Sequence, residues 1–193
     1  MKKITVFCGS SDGVNPLFGD IAYQLGAQLA QEDIALIYGG AKIGLMGKVA
    51  NGAIEAGGKV TGVLPYFLGS KEIAHDQLTE IIMVNTMHDR KMIMHERCEG
   101  FIALPGGFGT FEELFEVLTW AQLGLHQKPI GLLNVNGFYN PLIQMVETMV
   151  NHGYLSELHQ SMLLKSATIT DLLAQMKNYN APEVPKWINK DLI

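Results

Sequence analysis

Cysteine is scarce in this chain: Cys8 and Cys98 are the only two, far apart and in no CxxC arrangement. That excludes a disulfide framework as the source of stability and predicts a reduced, cytoplasmic setting. Positive charge is also short, with 14 Lys and Arg against 19 Asp and Glu and a formal net charge of −5. A balance of that sign argues against nucleic acid as a partner, which needs a basic face. Long apolar runs are missing too, and none approaches the roughly 20 residues that a membrane-spanning helix needs. The opening MKKITVFCGSS has two lysines and an apolar stretch, but that stretch is too short and too strand-like for an export signal. What the chain does have is 48% hydrophobic residues over 193 positions, enough for one domain with a sizeable core, and 21 glycines.

Short β-rich runs alternate with amphipathic stretches. Ile4–Cys8, Ile34–Tyr38, Lys59–Leu64, Ile81–Val84, Gly100–Leu104 and Ile130–Asn134 read as strands, most of them apolar nearly throughout. Such runs suit parallel strands covered on both faces. Helical patterns lie between them at Pro16–Gln31, Leu45–Ala56, Thr86–Cys98, Thr110–Leu125 and Tyr139–Val150. The alternation predicts right-handed βαβ units in a single-domain, Rossmann-like α/β fold, a doubly wound parallel sheet with helices on both faces. A further strand is expected at Met162–Lys165, then a short helix from Asp171 capped by Thr170. The domain is expected to span residues 1–177, and the Pro- and Asn-rich stretch 178–193 to be an irregular tail.

In sheets of this type ligands bind beyond the carboxyl ends of the strands. Three strand-to-helix turns there are rich in glycine or small polar residues: Cys8–Ser11, Gly39–Gly47 and Pro105–Thr110. Glycine lets backbone amides approach a ligand, and a helix N-terminus adds unpaired N–H groups and a positive dipole end, so the turns suit a phosphate. The candidate contacts are Ser10 in the first turn; Gly40, Gly44, Met46 and Gly47 in the second; and Gly106, Gly107, Phe108, Gly109 and Thr110 in the third. Neither familiar phosphate fingerprint fits. Gly47–Lys48 is followed by Val49 where a Walker loop needs Ser or Thr, and a G-x-G-x-x-G begun at Gly107 reaches Glu112 instead of glycine. ATP hydrolysis and NAD-dependent hydride transfer lose their usual support.

Two acidic and basic clusters accompany these turns. Thr110-Phe111-Glu112-Glu113 has the spacing of a capping box, which gives Glu113 a purely structural reading. The same glutamate would also face whatever is attached to a phosphate bound at the helix start, and the dipole there is expected to keep it ionised. In Thr86-Met87-His88-Asp89-Arg90-Lys91, Thr86 is the expected cap, and two cations fall in the first turns, where the dipole disfavours them. They read either as a solvated surface pair or as a site for an anion. His88 and His95 could share a helix face, but no further ligands at metal spacing accompany them, so no metal is expected. Phe111, Leu114, Phe115, Leu118 and Leu125 are expected to face the sheet, with Val117, Trp120 and Leu123 opposite. A helix apolar on both sides predicts a homodimer interface.

The run PGGFGTFEE at Pro105–Glu113 matches PGGxGTxxE, and MHDRK at Met87–Lys91 matches MHxRK. With these motifs and the CGSS and GGxxGLMG turns, the chain resembles the Lonely Guy family, the cytokinin riboside 5'-monophosphate phosphoribohydrolases, over nearly its whole length. The resemblance implies cleavage of the N-glycosidic bond of AMP or an N6-prenylated AMP to free base and ribose 5-phosphate, with no cofactor. It implies that Arg90 and Glu113 are catalytic, and that Glu72, Lys91, the run Gly107–Glu113, which includes Glu112, and Thr119 line the nucleotide site. It also implies a dimer. A lysine decarboxylase label that many relatives carry finds no cofactor lysine or pyridoxal phosphate site here. The alternative is a non-catalytic carrier of a nucleotide-derived ligand on a related Rossmann-like fold.

Overall fold

A computed structural model describes residues 1–68 and 74–184. Seven strands, β1 (Lys3–Phe7), β2 (Ala35–Tyr38), β3 (Val60–Pro65), β4 (Glu80–Val84), β5 (Gly100–Ala103), β6 (Ile130–Leu133) and β7 (Leu163–Ser166), form one sheet in the order β4-β3-β2-β1-β5-β6-β7. Every pairing is parallel. Helices α1 (Pro16–Gln31), α2 (Gly44–Glu55), α3 (Met87–Glu96), α4 (Phe108–Gln122), α5 (Asn140–Asn151), α6 (Glu157–Gln160) and α7 (Ile169–Lys177) complete the doubly wound α/β architecture that the alternation predicts. Two hydrophobic clusters cover the sheet. One centres on Ile4, Leu36, Leu25 and Leu172, the other on Phe7, Ile37, Phe101 and Leu114. Side chains of this kind contribute about 1.5–3 kcal/mol each when fully buried.

Local chemistry explains most of the boundaries. Asn15 caps α1 by accepting from Leu17 N–H at 3.1 Å, with Pro16 at the first helical position. Thr86 caps α3 in a reciprocal capping box with Asp89. Helices α1 and α2 pack with almost no side-chain layer between them. A Cβ at Gly26 would overlap the Val49 carbonyl, and one at Gly52 the Tyr23 carbonyl.

Three expectations are corrected. Thr110 does not cap α4: the helix starts at Phe108 after Gly107, which offers no side-chain cap, and Thr110 is buried in the first turn. The last helix begins at Ile169 after Thr168, so Thr170 is inside it. The faces of α4 are also divided differently. Leu114, Val117 and Ala121 are buried against the sheet, whereas Phe115 is exposed. Starting the helix two residues earlier does not move the 3.6-residue period, but burial follows the stripe that continues Thr110 and Glu113. α6 carries no long apolar pattern and is absent from the sequence reading.

Candidate active site

The sheet order reverses direction of travel between β1 and β5, and the turns that follow these two strands meet there. Gly9 N–H donates to Pro105 O at 3.0 Å, and Met46 N–H, at the start of α2, donates to Gly9 O at 3.4 Å. A cavity of about 270 Å³ opens over this junction. Ser10, Met46, Gly107, Phe108, Gly109, Thr110, Arg90 and Glu113 line it. The α4 N-terminus therefore points its free amides into the cavity, a position suited to an anion.

Arg90 and Glu113 meet on the cavity floor. Arg90 Nη1 donates to Glu113 Oε1 at 3.0 Å and Nε donates to Val63 O at 3.1 Å. Both side chains are only 10% exposed. The capping-box spacing is thus not used for capping, because the Glu113 carboxylate turns to Arg90. Gly39 makes this possible: a Cβ there would overlap Arg90 Nη2. Burial pushes the Glu113 carboxyl above the ordinary glutamate range. The Arg90 guanidinium opposes that rise, and the neighbouring carboxylates of Glu112 and Glu116 add to it. The dipole and the Arg90 guanidinium, which favour an ionised Glu113, are thus opposed here by desolvation at the buried floor.

The second cation of MHDRK has a different environment. Lys91 Nζ is shared by Glu112 and by Glu116, the latter at 2.9 Å, so two α4 carboxylates occupy it outside the cavity lining. Its ammonium ties α3 to α4 beside the Arg90–Glu113 pair, which joins the same two helices. Both cations near the α3 start do find anions, and those anions are glutamates of α4. Gly40, Gly44, Gly47 and Gly106 stand behind the lining. Gly40 and Gly44 have φ of 83° and 60°, and a Cβ at Gly106 would overlap Thr110 Oγ1. Thr119 donates to Phe115 O at 2.7 Å and lines a separate apolar groove with Phe115, Leu118, Met149 and Tyr154. Glu72 lies outside the described residues. The sequence reading passed over Gly39, Leu68, Met87 and Met94 as cavity residues. Gly39 is the first glycine of its turn and Met87 the first residue of MHDRK, whereas Leu68 and Met94 carry no motif.

Among the described residues no three His, Cys, Asp or Glu are grouped to hold an ion. His95 instead stacks on Phe101 at 5.5 Å between ring centres, edge-on to Trp120 at 4.8 Å.

These features define a doubly wound α/β protein whose switch-point cavity combines a helix N-terminus with a buried guanidinium–carboxylate pair. The family model described as "Possible lysine decarboxylase" matches residues 46–176. The chain is 43% identical over 189 residues to cytokinin riboside 5'-monophosphate phosphoribohydrolase LOG2 of Arabidopsis thaliana, covering 98% of this chain and 88% of the relative. It is 42% identical over 178 residues to LOG of Oryza sativa subsp. japonica, covering 92% and 74%. The chain belongs to the Lonely Guy family of phosphoribohydrolases. Among solved structures, a molybdenum cofactor binding protein from Rippkaea orientalis superposes with a TM-score of 0.68 at 26% identity, over 92% of this chain and 96% of that one. A molybdenum cofactor carrier protein from Chlamydomonas reinhardtii, with a TM-score of 0.67 at 22% identity over 91% and 95%, shares the fold.

Proposed function

We propose that this protein hydrolyses the N-glycosidic bond of an adenosine 5'-monophosphate, plain or N6-modified, to free base and ribose 5-phosphate. The observation that carries the reading is the Arg90–Glu113 pair on the cavity floor beneath the α4 N-terminus. The free amides of Gly107 to Thr110 hold the 5'-phosphate, and the sugar then lies over Glu113. As the C1'–N bond breaks, the ribose becomes oxocarbenium-like, and the Glu113 carboxylate stabilises that positive charge and orients water. Water supplies hydroxide to C1' and the departing base takes up a proton. Arg90 holds Glu113 in place and adds a fixed positive charge. It does not donate the proton, since its pKa above about 12 makes it a poor acid. Glu113, whose carboxyl is raised by burial, exchanges protons closer to neutral pH than an exposed glutamate does.

The working protein is a homodimer, and its setting is the cytoplasm, where the free buried Cys8 and Cys98 stay reduced. A second copy covers the apolar groove beside Thr119 and Phe115, and light scattering at micromolar concentration tests this, a monomer overturning it. No helix among the described residues is long and apolar enough to cross a membrane. The competing reading is a carrier, favoured by the 26% likeness to the cofactor-binding protein of Rippkaea orientalis. Incubation with AMP and with isopentenyladenosine monophosphate separates the two. Free base that disappears in Glu113→Gln supports hydrolysis, and tight binding with no base released supports the carrier. The relative rates identify the preferred base.

A further inference from the structure

His75 lies shortly before β4, outside the cavity lining, and its two ring nitrogens have unlike partners. Nδ1 accepts from Gln77 N–H at 3.2 Å, so it carries no proton. Nε2 therefore holds the ring hydrogen and donates it to Asn51 Oδ1 of α2 at 2.7 Å. The backbone adds to the hold: His75 N–H donates to Gly40 O at 3.2 Å, and Ala74 forms an antiparallel bridge with Ala41. Residues 74–77 are thus fastened both to α2 and to the Gly39–Gly40 turn. That turn lines the cavity at Gly39 and stands against the Arg90 guanidinium.

We propose that His75 is a positioning residue: its neutral imidazole clasps residues 74–77 to the turn that seats Arg90, and its protonation opens the clasp and weakens nucleotide binding. A protonated Nδ1 would aim a second N–H at Gln77 N–H, so one hydrogen bond becomes a repulsion. Among the described residues the charged groups near the ring are Asp76 on its own segment and Lys42 on the Gly40 turn, paired to each other at 3.5 Å, while α2 presents the neutral Asn51. Burial lowers the His75 pKa, Lys42 lowers it further, and Asp76 opposes them. The neutral form consequently dominates at neutral pH, and the clasp opens as pH falls below the usual histidine range of about 6.5.

The proposal rests on the nucleotide reading for its binding measurement, so the test has two independent readouts. AMP affinity is measured from pH 7.5 to 5 in a Glu113→Gln background, which removes titration at position 113. The His75 ring and Gln77 amide are followed by NMR without ligand. The expected result is an affinity roughly tenfold weaker at the acid end, the scale of losing one to two hydrogen bonds. The Gln77 amide should shift together with the His75 ring. His75→Asn keeps an acceptor near Nδ1 and does not titrate, so its affinity should change only as far as the AMP phosphate, with a second pKa of about 6, itself titrates. Asn51→Asp sets a carboxylate opposite Nε2 and should move the transition upward by about one pH unit. A pH-independent Gln77 amide, or an unshifted transition in Asn51→Asp, overturns the clasp. Absence of AMP binding at every pH overturns the nucleotide reading, and the NMR titration still decides the clasp.

Discussion

Replacing Gly39 with alanine tests whether the space at that residue, more than its backbone freedom, builds the site. Gly39 is absent from the positive-φ residues, so alanine meets no backbone penalty there. Its Cβ would overlap Arg90 Nη2 and lie 2.8 Å from Met46 Sδ. Overpacking of this kind costs about 1–3 kcal/mol. At about 2 kcal/mol, a chain of this size should lose about 4–8 °C in Tm. If the guanidinium swings away from Glu113, the carboxylate is left buried and unpaired, and the cost rises toward the roughly 3–5 kcal/mol of a broken buried ion pair. Turnover of AMP should fall by about 100-fold, the scale expected from displacing a positioning group by about 1 Å. Calorimetry and a base-release assay read the two effects. Gly19→Ala is the control, because Gly19 lies outside the cavity lining and a Cβ there meets only the Lys48 side chain at an ordinary 3.7 Å. Gly39→Ala with unchanged Tm and unchanged turnover would refute the reasoning. So would equal damage from Gly19→Ala.

Arg90→Lys removes the fork that reaches Val63 O and Glu113 Oε1 together, so turnover should drop about 100-fold, and near-normal base release would make the forked geometry unnecessary. Glu113→Gln keeps a polar group at Arg90 while removing the charge, and should reduce turnover by about 10²–10³ with nucleotide binding retained. The ionised form of Glu113 is lost as pH falls through its raised pKa, so kcat should decline at a pH above the ordinary glutamate value. An acid limb at or below that value contradicts the burial argument. Lys91→Met removes the one cation shared by Glu112 and Glu116. It should push the Glu113 limb to still higher pH while raising KM less than Arg90→Lys does, and an equal KM effect would instead favour a direct phosphate contact.

The alternation of apolar runs and amphipathic stretches made the sheet and five main helices legible, because parallel strands buried on both faces leave an unbroken hydrophobic signature. Boundaries that depend on a side-chain cap were legible where the cap is used, as at Thr86, and misread where it is not, as at Thr110. The sequence shows a threonine with an acidic residue three positions on in both places, Asp89 after Thr86 and Glu113 after Thr110. Only the packing of α3 against α4 decides that Glu113 turns to Arg90. The same packing changes the account of Lys91, since nothing in MHDRK says that two glutamates of another helix will surround its ammonium. His75 shows no motif at all, and its role depends on an asparagine and a glutamine amide brought to either side of its ring.

The glycine contacts between α1 and α2 have a mechanical consequence. With Gly26 against the Val49 backbone and Gly52 against the Tyr23 backbone, neither helix can slide or tilt without driving main chain into main chain. The pair behaves as one stiff plate, and the turns leading into it from β1 and β2 are bolted to its rim. Any breathing of the cavity therefore belongs to the opposite jaw, where α3 and α4 are joined by side-chain charge pairs, of which the one to the half-exposed Glu112 is the most open to water.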